Sequence, residues 1–135
     1  MTNILVSIDP QKLQIEIIHN YLSNESYWAE GRSIETVKKS IENSLCFGIY
    51  ENDQQIGFAR VVTDYAVFGW IMDLFILPSH QGKGLGKILM ERIMNCSELE
   101  EVKKWGLMTK DAHRLYKQYG FDNHPKPEMF MVKRE

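Results

Sequence analysis

The chain has 135 residues, 44% of them apolar and 25% charged, with a formal net charge of −2. That size and balance suit one soluble domain, residues 1–135, built on a single core. No run approaches the ~18 apolar residues of a membrane span, no basic-then-apolar leader opens the chain, and no basic field would attract nucleic acid, so a cytoplasmic protein with neither partner is expected.

In chain order, residues 3–8 read as a short strand. Asp9-Pro10 then looks like a helix start, Asp as N-cap and Pro in the first turn, with Leu13, Ile17 and Tyr21 as the apolar stripe. A polar and aromatic connection, residues 23–32, leads to a second helix with Ser33 as N-cap, Glu35 in its first turn and the stripe Ile34, Val37, Ile41. From Leu45 the period is two. Residues 45–50 and 55–63 read as strands joined by the turn Glu51-Asn52-Asp53-Gln54, and a further strand covers residues 66–76 and stops at Pro78. Leu85, Ile88, Leu89, Ile93 and Cys96 mark a third helix, followed by a solvated charge run over 98–104. Residues 105–108 suit a buried strand, 111–119 a short helix stopped by Gly120, and 129–132 a closing strand. The two cysteines, Cys46 and Cys96, show no Cys-x-x-Cys spacing, and His19 and His124 have no partner at metal spacing, so no metal is expected.

The segment between the last long strand and the third helix carries the chemistry. Gln81-Gly82-Lys83-Gly84-Leu85-Gly86-Lys87 places three glycines at a strand-to-helix junction, where unpaired N–H groups and the positive end of the helix dipole hold phosphate. A glycine-rich turn with solvated lysines is the plain alternative. A P-loop is excluded because three residues separate Gly82 from Gly86 and Ile88 follows Lys87. The dinucleotide fingerprint fails because Lys87 stands where its third glycine belongs.

With Ile76-Leu77-Pro78 ahead of it, this loop resembles the coenzyme A motif of the GCN5-related N-acetyltransferase (GNAT) superfamily, Gln/Arg-x-x-Gly-x-Gly/Ala after a strand ending in Val/Ile-x-Pro. A second segment of that family, Asn-x-x-Ala-x-x-x-Tyr-x-x-x-Gly-Phe, is matched by Thr109, Ala112, Tyr116, Gly120 and Phe121, with Thr109 in place of Asn. The resemblance implies a mixed α/β fold: a mostly antiparallel sheet splayed between its fourth and fifth strands, residues 66–76 and 105–108, flanked by about four helices. It implies acetyl-coenzyme A as co-substrate, its pantetheine paired with Leu74 and Ile76 and its pyrophosphate cradled by Gln81, Gly82, Lys83, Gly84, Leu85, Gly86 and Lys87, with Thr109, Ala112 and Tyr116 completing the site.

The activity so implied is acyltransfer by direct attack of a primary amine, on a small molecule or peptide, on the thioester. The alternative is a regulatory module that binds acetyl-coenzyme A without turnover. The Leu74 N–H would polarise the thioester carbonyl and Tyr116 would donate to the leaving sulfur. Several family members carry a Glu or His two or four residues before the position of Leu74, where this chain has Met72 and Trp70. Asp73 is the nearest carboxylate. Strand alternation turns it away from Met72, and a bulge would bring it round to attract a cationic acceptor and order a water. Tyr27, Trp28 and Arg32 are the candidate wall of the acceptor pocket. A monomer or a homodimer is compatible with these observations.

Overall fold

A computed structural model of the chain describes residues 3–134. Five strands form one sheet in the order β1-β2-β3-β4-β5: β1 Ile4–Ser7, β2 Leu45–Glu51, β3 Gln54–Thr63, β4 Phe68–Ile76 and β5 Lys104–Leu107. The first four are antiparallel, and β5 runs parallel to β4. Helices α1 Ile15–Asn24 and α2 Ile34–Glu42 cover one face; α3 Leu85–Met94 and α4 His113–Lys117 cover the other.

Local chemistry explains most boundaries. The β2–β3 hairpin closes on Asn52 and Asp53, both at positive φ (49° and 70°), the pair of left-handed residues that matches the twist of a two-residue turn. Ser33 caps α2 by accepting from the Thr36 N–H. β4 begins at Phe68, two residues later than its composition suggests. Asp64 takes the N–H groups of Ala66, Val67 and Phe68 onto one carboxylate oxygen, and these bonds hold its pKa below the usual carboxylate range.

Three expectations need correction. Asp9 does cap a turn, accepting from the Gln11 N–H, but that turn is a single 3-10 unit over Pro10–Lys12. α1 starts only at Ile15, because Gln14 and Gln55 exchange bonds across the gap: the Gln14 N–H donates to Gln55 Oε1 at 2.7 Å and the Gln55 N–H to Gln14 Oε1 at 3.1 Å. Its buried stripe is accordingly Ile18 and Leu22, with Leu13 and Tyr21 at the margin. In α3 the buried residues are Leu85, Leu89, Met90 and Ile93, whereas Ile88 is exposed and Cys96 lies beyond the helix. The charge run after it still contributes Leu99 and Val102 to the core. Third, residues 129–132 form no strand: Pro127–Met129 is a 3-10 turn and residues 130–132 join no ladder among the described residues.

The junction of β4 with β5 decides where the sheet opens. Their register runs from Phe68 opposite Lys104 to Ile71 opposite Leu107 and goes no further, although β4 continues to Ile76. Glycine faces tryptophan in two successive pairs. A Cβ on Gly69 would stand 2.8 Å from Trp105 Cζ3, and one on Gly106 would run into the Trp70 ring. The six-membered rings of the two indoles therefore press on the glycines of the neighbouring strand and lock this end of the sheet.

Gly106→Ala is expected to lower unfolding stability by about 1–3 kcal/mol, because the indole of Trp70 must leave its seat. Gly86→Ala serves as the contrast. Its Cβ would meet only Leu115 Cδ2, at 3.5 Å, on a helix, so urea denaturation should show an unchanged or raised midpoint. Equal midpoints for wild type and Gly106→Ala would refute the interlock.

Candidate active site

The site is built on an irregularity in β4. Register passes from Arg60 opposite Met72 to Phe58 opposite Phe75, so Asp73 and Leu74 together face Ala59. Asp73 takes a left-handed conformation, φ 57°. This is a bulge, and it breaks alternation: Arg60 touches both Met72 Sδ, at 3.6 Å, and the Asp73 carboxylate, so the two side chains share a face.

The Asp73 side chain is fully buried, and its oxygens are engaged. Arg60 Nε and Arg32 Nη1 both donate to Oδ2, at 2.6 and 2.8 Å, and Trp28 Nε1 donates to Oδ1 at 2.9 Å. Arg60 reaches on to Ser44 Oγ at 3.1 Å. The expectation that Asp73 meets the acceptor and orders a water is thereby corrected. The bulge does bring it round, but into two guanidinium groups and an indole. Arg32 likewise stands behind the pocket, as the partner of Asp73.

Beside the bulge, where β4 runs on past the end of β5, lies a cavity of ≈ 170 Å³. Residues 71–74 of β4 form one wall, Tyr27 and Trp28 a second, and Met108, Thr109, Asp111 and Ala112 with Leu115 and Tyr116 a third. Tyr27 spans the mouth: its hydroxyl accepts the Lys110 N–H at 3.1 Å, its ring meets Trp28 edge-on with centroids 5.1 Å apart, and Lys110 Nζ lies 5.3 Å from its centroid. Thr109 turns the chain into α4, Oγ1 accepting the Ala112 N–H at 3.0 Å. The Tyr116 ring is buried, yet its hydroxyl makes no hydrogen bond among the described residues. Burial first, then Tyr27 and Asp111, push its pKa up to about 12.

Asp111 carries no motif signal of its own, since it occupies a variable position between Thr109 and Ala112. The fold makes it the exposed carboxylate on the cavity wall, in no hydrogen bond or ion pair among the described residues. Its charge reaches Tyr116 and, behind burial and Glu25, helps to raise the pKa of Tyr21 as well.

The glycine loop stands apart from the cavity, at the end of β4. Gly82 and Gly84 have φ of 80° and 77°, and a Cβ on either would meet nothing within 4 Å, so glycine is present for conformation and for an open face. Gly84 is the N-cap of α3 and offers no side chain to its first turn. Among the described residues, none of the N–H groups from Gly82 to Lys87 donates to another residue, and such a cradle suits a pyrophosphate. Lys83 and Lys87 are exposed beside it, and Leu85 turns inward to the core. Gln81 faces back and donates to the Ile76 carbonyl at 2.9 Å; His80 bonds Glu51 Oε1 at 3.0 Å and pins the preceding turn to β2.

Arg60→Met is expected to destabilise the fold by about 3–5 kcal/mol, because Asp73 would keep a buried charge without its main partner. Arg32, partly reached by water, should cost only about 1 kcal/mol as Arg32→Ala. Chemical denaturation of both variants checks the order, and equal losses would show that the two arginines share the charge evenly.

Residues 42–123 match the family model of the acetyltransferase (GNAT) domain. An acetyltransferase candidate from Gibberella zeae is 32% identical over 135 aligned residues, covering 83% of this chain and 75% of that protein. The crystal structure of a GNAT-family acetyltransferase candidate from Xanthomonas campestris pv. campestris matches with a TM-score of 0.95 at 38% identity, over 100% of this chain and 95% of that one. A Clostridium acetobutylicum structure, solved with acetyl-CoA, has the same fold at TM-score 0.68 and 17% identity, over 99% and 96% of the two chains. With its motifs, sheet and site in place, this chain belongs to the GNAT acetyltransferase family and is an acyltransferase.

Proposed function

We propose that residues 1–135 act as one acetyl-CoA-dependent N-acetyltransferase domain that acetylates a primary amine on a small molecule or peptide by direct attack on the thioester. The observation that carries this reading is the alignment of three features along β4. They are a loop of unbonded N–H groups at its end, a bulge at Asp73 and Leu74, and a cavity that holds the free hydroxyl of Tyr116. The Clostridium neighbour with acetyl-CoA supports the choice of donor.

When bound, acetyl-CoA supplies the electrophilic carbonyl carbon. Backbone N–H groups from Gly82 to Lys87 hold the pyrophosphate, and the β4 edge beyond Ile71, with Leu74 and Ile76, pairs with the pantetheine. Thr109 and Ala112 line the far side. The Leu74 N–H, in the second residue of the bulge, stabilises the oxyanion. Tyr27 and Trp28 wall the acceptor and Arg32 braces Trp28 through Asp73, which is a positioning residue in this scheme. Asp111 attracts the ammonium form of the acceptor, and solvent takes its proton before the neutral amine attacks.

As the C–S bond breaks, Tyr116 faces the thiolate. A phenol at about 12 cannot give its proton to a thiolate whose thiol has a pKa near 8.5 without climbing about 5 kcal/mol, so Tyr116 stays neutral and stabilises the sulfur by a hydrogen bond. The proton shed by the attacking nitrogen as the amide forms then reaches the thiolate through solvent. An unengaged phenol and carboxylate at the cavity favour turnover over binding alone.

Thioester consumption across a panel of amines tests the reaction. Tyr116→Phe should lower kcat by about ten- to a hundredfold at unchanged coenzyme A affinity, whereas Asp111→Asn should raise KM for cationic amines more than it lowers kcat. An unaltered rate in Tyr116→Phe would return that residue to the core. Gly84→Val should abolish coenzyme A binding by calorimetry while circular dichroism stays native, since only the local left-handed conformation is lost. Wild-type affinity in that variant would remove the pyrophosphate assignment.

A further inference from the structure

The turn between β4 and the glycine loop holds a second group of reactive side chains. Ser79 Oγ lies 2.7 Å from His80 Nδ1, and His80 Nε2 lies 3.0 Å from Glu51 Oε1. An ionised carboxylate only accepts hydrogen bonds, so Nε2 carries the ring proton and, in the neutral imidazole, Nδ1 is the acceptor. The Ser79 hydroxyl therefore donates to Nδ1. The order runs from hydroxyl to imidazole to carboxylate, a nucleophile within reach of a base that a third group orients. Pinning the turn to β2 needs only His80 and Glu51, and the bond from Ser79, one residue away, adds nothing to that link.

Ser79 lines a cavity of ≈ 390 Å³ between α1 and the end of β4, a volume typical of small-molecule sites. Ile17, Leu77 and Pro78 are its apolar lining, and Glu16, Asn20 and Glu25 its polar lining. It shares no residue with the cavity around Tyr116. Two donors stand free beside the hydroxyl. Asn20 Oδ1 accepts from Asn24 Nδ2 at 2.9 Å, which fixes the amide and leaves its Nδ2 without an acceptor among the described residues. The Ser79 N–H also donates to no other described residue. Free donors of this kind suit a developing oxyanion. The carboxylates of Glu16 and Glu25 enter none of the ion pairs among the described residues, so the cavity attracts a cation and repels an anion.

We propose that Ser79, His80 and Glu51 form a second catalytic site, which hydrolyses small carboxylic esters that carry an ammonium group. Ser79 Oγ attacks the ester carbonyl carbon while its proton passes to His80 Nδ1, and Asn20 Nδ2 with the Ser79 N–H receives the oxyanion. The C–O bond to the alcohol then breaks, and the alcohol leaves with the proton from Nδ1. Water attacks the acyl-serine and gives a proton to Nδ1 as the new C–O bond forms. The bond to Ser79 Oγ breaks, Oγ takes that proton back, and the acid departs. Glu51 holds the ring and stabilises its protonated form, while Glu16 and Glu25 hold the ammonium.

The full chain, free of coenzyme A, is assayed in a pH-stat on acetylcholine and on 3,3-dimethylbutyl acetate, which has carbon in place of the charged nitrogen. Acetylcholine should be hydrolysed faster than in buffer and preferred by about fivefold in kcat/KM, and Glu16→Gln with Glu25→Gln should erase that preference. Ser79→Ala should lower kcat at least about a hundredfold, with an unchanged circular dichroism spectrum and unchanged acetylation of amines. A fluorophosphonate probe reads the nucleophile without turnover. Peptide mass spectrometry should find it on Ser79, and His80→Ala should abolish the labelling.

Hydrolysis no faster than in buffer, with no labelled serine, overturns the proposal. So does hydrolysis that survives Ser79→Ala, which would make the His80 imidazole the nucleophile. Equal kcat/KM for the two esters overturns the role given to Glu16 and Glu25. Because the two cavities have no lining residue in common, ester hydrolysis and acetyl transfer stand or fall separately.

Discussion

A carboxylate buried in a β-strand must be answered by other charges, and in this protein the answer given to Asp73 organises the site. Desolvating an isolated carboxylate costs several kcal/mol, which neither hydrogen bonding to one neutral donor nor local relaxation recovers. Arg60 comes from the adjacent strand β3, while Arg32 and Trp28 come from the connection between α1 and α2. Three parts of the chain far apart in sequence are therefore bound to one point. The left-handed residue at that point is tolerated because these partners over-determine it.

The bulge and the end of the β4–β5 ladder fall next to each other, and that juxtaposition makes the cavity. Interlocked Trp70–Gly106 and Trp105–Gly69 hold the two strands together as far as Ile71. Two residues later the bulge begins, and β4 no longer pairs with β5. Tyr27 closes the opening from the side by bonding the Lys110 backbone. The same Asp73 that shapes β4 thus also fixes the connection that carries Tyr27 and Trp28, so the two walls of the cavity are positioned by a common anchor.

Much of the fold could be read from the chain because its signals are local. Ser33 at the start of α2, Asn52-Asp53 in the hairpin and Gly120, φ 91°, after α4 act within a few residues, and each is where the pattern placed it. The errors arise where distant partners intervene. Gln55 reaches back to Gln14 and delays α1, which rotates its buried stripe from Ile17 to Ile18 and Leu22. Residues 129–132 have the side chains of a strand, but a strand also needs a neighbour, and among the described residues none pairs with them.

At the site the division is similar. By itself the sequence determined the glycine loop and the position of Tyr116, because phosphate binding by backbone N–H groups requires glycines at one strand-to-helix junction and a helix presents residues at a known spacing. Only the tertiary structure decided what Asp73 does. A period-two pattern carries no mark of a bulge, and neither Arg32, 41 residues away, nor Arg60, 13 residues away, is linked to it by spacing. Only the tertiary structure, too, left Asp111 on the cavity wall with its carboxylate unpaired among the described residues. Whether a charged side chain is free or spent depends on which partners the fold brings within about 3 Å, and long-range contacts of that kind leave no periodic trace in the chain.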